Sequence, residues 1–106
     1  MKIDVHEIKT AFEKDLALII RREVFIIEQN VPAEIEIDEF EDSATHILAL
    51  IDNKPVGTAR WRRTVEGIKL ERFAVKKEYR SAGVGSALVN YLLEQMPDKN
   101  LFLLHA

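Results

Sequence analysis

Apolar and polar positions alternate at the start of the chain. In KIDVHEI, residues 2–8, Ile3, Val5 and, less cleanly, Ile8 stand against polar neighbours, the pattern of a short strand. The period then lengthens. In DLALIIRREVFIIEQN, Leu16, Ile19, Ile20, Val24 and Ile27 recur at helical spacing. This predicts a helix of about four turns, capped by Asp15 and unable to continue through Pro32. Residues 34–42, EIEIDEFED, break the periodicity with six carboxylates. They read either as a solvated, self-repelling connector or as a lid that attracts a cationic substrate.

The pattern next turns to strands. THILALI (45–51) is a short apolar run, DNKP (52–55) is turn chemistry, and VGTARWRR (56–63) alternates. TVEG (64–67) is a second turn before IKLERFAV (68–75), so three antiparallel strands form a meander. Val84, Ala87, Leu88, Tyr91 and Leu92 then mark the cleanest amphipathic helix, over 84–96, closed by Pro97. LFLL (101–104) reads as a buried strand parallel to 68–75, because a strand–helix–strand unit brings its strands together in that sense.

Composition narrows the classes. The 106 residues suffice for one domain over 1–106, with 47% hydrophobic and 31% charged residues, as in an ordinary soluble globular protein. A net charge of −3 argues against a nucleic-acid partner. Absence of cysteine excludes a disulfide, a thiolate zinc site and a cysteine nucleophile. No apolar run reaches the roughly 20 residues that span a bilayer, and MKIDVHEIKT lacks the apolar core of a signal peptide. The expectation is a cytoplasmic protein without a membrane partner. The histidines are scattered and show no metal-ligand spacing, so no metal is expected.

The chemistry concentrates between the third meander strand and the second helix. Gly83 and Gly85 stand just ahead of that helix, and Arg80 three residues before the first of them. A helix N-terminus offers unpaired N–H groups and partial positive charge, which suit phosphate. Glycines let the backbone approach closely, and arginine matches phosphate geometry. A P-loop would need lysine before Ser86, where Gly85 stands, and a Rossmann fingerprint would need a third glycine. The alternative is a glycine turn that merely tightens a strand-to-helix connection.

RSAGVG, Arg80 to Gly85, resembles the Arg/Gln-x-x-Gly-x-Gly/Ala signature of the GNAT superfamily of acyl-CoA-dependent N-acetyltransferases. LERFAV before it and SALVNYLL after it fit the same motif, and REVFIIEQNVP (22–32) looks like the first-helix signature of the ElaA-like branch. The element order matches along essentially the whole chain. The resemblance implies an α+β, three-layer fold: a mixed, mainly antiparallel sheet flanked by helices. It implies acetyl-CoA as cosubstrate. The pyrophosphate would lie on the loop formed by Arg80, Ser81, Ala82, Gly83, Val84, Gly85 and Ser86. The pantetheine arm would lie along the backbone of Phe73, Ala74 and Val75. The acceptor would be a primary amine of a small molecule or peptide, with the acidic stretch favouring a cationic one.

The reaction implied is direct attack of the amine on the thioester. An ammonium group is not a nucleophile, so a base must take its proton. Glu71, on the strand leading to the cofactor, is the candidate, directly or through water. The alternative is a structural carboxylate paired with Arg60, Arg62 or Arg72. Strict alternation puts Glu71 on the face of Phe73 and Val75, and Arg72 on the other. The N–H near Val75 would meet the oxyanion. RWRR (60–63) reads as a solvated or paired cluster or as a channel lining, and Trp61 as core. His46 and His105 flank strands without an evident role. Relatives of this kind continue with a helix and hairpin that often supply a tyrosine acid. Tyr79 and Tyr91 do not match that position. The expectation is a domain truncated after its fifth strand, whose open edge invites a partner subunit, as in a homodimer. A non-catalytic acyl-CoA-binding module and a phosphate-free interaction domain are the rival readings.

Overall fold

The computed structural model describes residues 2–33, 37–95 and the backbone of 103–105. Its strands are β1 (Ile3–Glu7), β2 (Thr45–Ile51), β3 (Lys54–Thr64), β4 (Gly67–Val75) and β5 (Leu103–His105). They form one five-stranded sheet in sequence order. The first four are antiparallel, and β5 runs parallel to β4 through Ile68↔Leu103 to Leu70↔His105. That is the mixed sheet expected from the order of elements. Residues 101 and 102 of the anticipated last strand lie outside the described residues. Asp52 and Asn53 join β2 to β3 with φ of 50° and 65°, the paired positive values of a type I′ hairpin turn.

Helix α1 (Ala11–Arg21) begins four residues before the expected cap. Thr10, not Asp15, is the N-cap, its hydroxyl accepting from the Glu13 N–H at 3.1 Å. The sequence carried this signal: Thr10-Ala11-Phe12-Glu13 has the spacing of a capping box. Glu13 reaches back to the Lys9 N–H and also pairs with His6. Beyond Arg21 the helix widens into a π-helical segment, Arg22–Glu28, and ends near Asn30, which takes φ 57°. Such segments are rare and cluster at functional sites. The buried face is Ala17, Ile20, Arg21 and Val24, whereas Ile19 and Ile27 of the expected apolar stripe are exposed.

Helix α2 (Val84–Gln95) fits its pattern, burying Val84, Leu88 and Leu92. It covers one sheet face, packing with Ile47, Ala49, Val56, Ala59, Ile68, Leu70 and Val75. On the other face Ala17, Ile20 and Val24 of the first helix meet Leu48 and Ala74. Three layers result.

A β-bulge interrupts β4. The register runs Thr58↔Ala74 and then Arg60↔Glu71, so Arg72 and Phe73 oppose the single residue Ala59. Arg72 takes φ 51° there. The extra residue reverses the expected alternation. Val75 joins Leu70 on the α2 face, and Glu71 is left on the α1 face beside Arg60.

Glycine is required at Gly57 by contact. A Cβ there would lie 2.8 Å from Val84 Cγ1 and 3.3 Å from the Ala74 carbonyl oxygen. Gly57→Ala should therefore cost about 1–3 kcal/mol in urea denaturation, as overpacking does. Adding Val84→Ala should give a double variant more stable than the sum of the two single losses predicts. Simple additivity would show that the helix does not press on this position.

Candidate active site

The α1 face of the sheet carries charge where a core would be apolar. Arg60 is fully buried and donates to both carboxylate oxygens of Asp38 (2.8 and 2.7 Å), to Glu41 (3.2 Å) and to Glu71 (3.1 Å). Arg21, also buried, makes a bidentate pair with Glu41 at 2.8 Å on each arm. Arg62 donates through Nε to Glu71 at 2.7 Å, and Arg72 reaches Asp38 at 3.1 Å. Lys14 pairs with Glu41 at 3.1 Å, and the His46 ring bonds the Glu41 carbonyl at 2.8 Å. The acidic connector is thus turned inward at Asp38 and Glu41. Glu39 and Asp42 remain exposed. Neither expected reading fits the two inward carboxylates, because arginines of the fold already engage both of them.

This network explains Glu71. Burial raises its pKa, but the Arg62 bond and the Arg60 charge outweigh burial and hold it below the ordinary carboxylate value. A general base for an ammonium proton needs the reverse shift. The carboxylate is enclosed by its partners, the surroundings of the structural alternative. Arg72, expected on the opposite face, lies on the same side because of the bulge, and its pair with Asp38 helps hold its left-handed backbone.

One turn further along β4 is a cleft of about 300 Å³, lined by Val24, Gln29, Phe73, Val75, Arg80 and Gly85. It brings together residues the sequence placed in one site, Phe73, Val75, Arg80 and Gly85, and adds two it did not. Val24 and Gln29 come from the π segment and its end, whose wider turn no local pattern announced. The Lys76 N–H bonds the Val56 carbonyl on the β3 side. Strand alternation therefore turns the N–H and C=O of Val75 to the other edge, and those of Ala74 toward β3. The paired part of β5 reaches only Leu70, so that edge beside Val75 is open among the described residues. Arg80 Nε takes the Val75 carbonyl at 3.1 Å, and its Nη2 bonds Glu28 at 2.5 Å. Arg80 is thus a clamp between the π segment, the strand end and the loop. The Glu28 bond raises the arginine's pKa, and Arg80 in turn lowers that of Glu28.

The loop holds its expected shape for two different reasons. Gly83 has φ 87° with open space where a Cβ would stand, so backbone conformation requires glycine. The Cβ position of Gly85 lies 3.3 Å from the Phe73 ring, so a larger residue there would have to push that half-exposed ring aside. The first backbone bond of α2 is from the Ala87 N–H to the Gly83 carbonyl. The amides of Val84, Gly85 and Ser86 precede it and have no intrahelical acceptor. The amides of Arg80 and Ala82 are used in turn bonds to Lys77 and Tyr79. Ser81 is exposed beside them. Among the described residues no cluster of His, Asp or Glu is arranged to hold a metal ion, and no helix is long and apolar enough to cross a membrane.

The network makes stability sensitive to acid. Burial raises the Glu41 pKa, but Arg21 more than compensates and brings it from 4.5 to about 2. The Arg60 bond lowers Asp38 from 3.8 to about 2. Burial lowers His46, which stays neutral in the fold. All three folded pKa values lie below the unfolded ones, so the stability they contribute is present at neutral pH and is lost as pH falls. Loss should begin near pH 6.5 with His46 and steepen between about 4.5 and 2, Glu41 alone accounting for about 3 kcal/mol. Denaturant midpoints measured from pH 7 to 2.5 should follow this course. Glu41→Gln should lower the midpoint at pH 7 and flatten the fall below pH 4.5. An unchanged slope would show that Glu41 is not the titrating group.

Comparison with known proteins agrees with this architecture. Residues 12–106 match the model of the acetyltransferase (GNAT) family. YjcF of Bacillus subtilis (strain 168), an uncharacterized N-acetyltransferase, is 49% identical over 82 residues, covering 77% of this chain and 59% of its own. The chain therefore spans less than two thirds of that relative. The crystal structure of Escherichia coli ElaA superposes with a TM-score of 0.80 at 26% identity, covering 96% of this chain and 77% of that one. PaiA N-acetyltransferase of Thermoplasma acidophilum, solved in complex with coenzyme A, shares the fold with a TM-score of 0.71 at 16% identity, covering 95% and 76%. With residues 12–106 of its 106 matching the family model and its fold repeated in these structures, the chain belongs to the acetyltransferase (GNAT) family.

Proposed function

We propose that the protein transfers an acetyl group from acetyl-CoA to a primary amine. One observation carries this reading: a cleft bounded by the open edge of Val75 and by the free amides at the start of α2. The amides of Val84, Gly85 and Ser86 suit a pyrophosphate, and the positive φ of Gly83 brings the backbone round to present them. The Val75 N–H, on the open edge, can pair with a pantetheine amide or meet an oxyanion. Arg80 serves first as the clamp that holds these pieces, with its charge at the mouth of the cleft. The complex of the PaiA relative with coenzyme A supports the choice of donor.

Acetyl-CoA supplies a thioester: the amine nitrogen bonds to its carbonyl carbon, the carbon–sulfur bond breaks, and the thiolate takes a proton. The other proton leaves the amine for a base. Glu71 was the candidate, and its two arginine partners support a positioning role instead, in which it fixes the strand before the bulge. Among the described residues, those lining the cleft include no carboxylate or imidazole. That observation favours one second reading, a module that binds acyl-CoA without turnover.

Calorimetric titration should show acetyl-CoA binding by the parent chain, weakened at least tenfold by Gly83→Asp and Gly85→Asp. Those variants place an anion at the phosphate seat. Absence of binding would sink both readings. Thiol release with a panel of amines separates enzyme from module. Glu71→Gln should lower stability by about 3 kcal/mol, as loss of one member of a buried pair does. It should leave the pH profile of any turnover in place, and a pH profile shifted by this variant would restore Glu71 as the base.

A further inference from the structure

The π segment brings to the cleft a polar side chain that no local pattern placed there. Val24 and Gln29 both line the cleft, and they stand five residues apart. In an α-helix that spacing is about 140° round the axis, so the two would face apart. The segment Arg22–Glu28 is instead π-helical, with bonds that span five residues, and its wider turn brings Gln29 round to the side of Val24. The neighbours of Gln29 hold it there. Glu28 bonds Arg80, Asn30 turns the chain with φ 57°, and the Val31 N–H closes on the Phe25 carbonyl at 2.8 Å. The Gln29 carboxamide itself has no hydrogen-bond partner among the described residues. The other polar side chain of the cleft, Arg80, is engaged, with Nε on the Val75 carbonyl and Nη2 on Glu28.

Gly85 belongs to the run of free amides that starts α2, and Val75 to the open strand edge. A coenzyme with its pyrophosphate on the first and its thioester beyond the second lays its pantetheine arm between them, along the cleft that Gln29 lines. The arm carries amides, each with an N–H and a carbonyl to satisfy. Val75 offers its N–H, but its carbonyl already accepts from Arg80. At this residue the arm therefore meets a ready donor and an acceptor that is already committed. We propose that Gln29 supplies the uncommitted acceptor: its Oε1 takes an amide N–H of the pantetheine arm, so that the helix, and not only the strand and the glycine loop, binds the coenzyme. A carboxamide suits this task, because it accepts without placing a negative charge near the phosphates. The inference rests on the transferase reading's choice of acetyl-CoA.

Calorimetry with two ligands tests it: acetyl-CoA, and adenosine 3′-phosphate 5′-diphosphate, which carries the coenzyme's phosphates without its arm. Gln29→Leu, at an exposed position, should bind acetyl-CoA about tenfold more weakly than the parent and the nucleotide equally well. Gly83→Asp should weaken both. Equal losses on both ligands would make Gln29 a prop for the loop, and no loss on acetyl-CoA would leave it without a role in binding; either result overturns the proposal. The side-chain amide NMR signal of Gln29, identified by its disappearance in Gln29→Leu, should move on addition of acetyl-CoA and stay in place with the nucleotide. A signal unmoved by acetyl-CoA overturns the proposal even where the nucleotide binds too weakly to titrate. If the parent binds neither ligand, the transferase reading falls and takes this inference with it. If parent and Gln29→Leu bind acetyl-CoA alike, this inference alone falls.

Discussion

Arg60 is the residue on which the arrangement turns. It is fully buried at the middle of the sheet and bonded to three carboxylates from two parts of the chain: Asp38 and Glu41 from the connector and Glu71 from β4. A buried guanidinium without anions would be untenable, because desolvating a charge costs several kcal/mol. The connector must therefore cross the sheet where it does. Two of its carboxylates point down into the sheet and hold it there. Arg21 repeats the solution from the helix side, so α1, connector and sheet share one charge cluster through Glu41. Among the described residues one atom of the cluster, Arg60 Nε, lacks a partner.

The network and the cleft are joined by the bulge. Arg72 lies between Glu71, held by two arginines, and Phe73, which lines the cleft. Its left-handed backbone changes the face of everything after it, so Val75 turns its side chain into the α2 core. The backbone bond from Lys76 to Val56 fixes which edge Val75 then presents. A charge cluster on one face thereby helps set backbone geometry at a site built mostly of amides. Amide sites tolerate little displacement, since hydrogen bonds weaken steeply with angle, and anchoring the strand by ion pairs meets that need.

The same network redistributes charge. The stretch 34–42 looks strongly acidic along the chain, yet two of its carboxylates lie inside the fold. Glu39 and Asp42 stay on the surface, and Arg62 and Arg63 line a recess at the end of the sheet beside Trp61 and Phe40. Electrostatic character at a site depends on which charges are paired, and pairing is a property of the fold.

Local chemistry was legible from residues alone. The apolar run THILALI, the turn residues Asp52 and Asn53, the α2 stripe and the glycine positions each act within a few residues, where residue type and φ preference decide the outcome. The cap at Thr10 was legible too, through its glutamate three residues on. The pairing of Glu28 with Arg80 was not, because it joins positions 52 residues apart. Nor was the inward turn of Arg21, which periodicity assigns to solvent because it is charged. The bulge at Arg72 and the π turn at Arg22–Glu28 leave no mark in hydrophobic spacing. They insert or widen by a single residue to satisfy packing and ion pairs that exist only once the chain has closed. The sequence by itself therefore determined the elements, their order and the glycine loop before α2. The tertiary structure decided which face Glu71 occupies, what Arg80 holds and where the acidic charge goes, because each depends on partners brought together by long-range contacts.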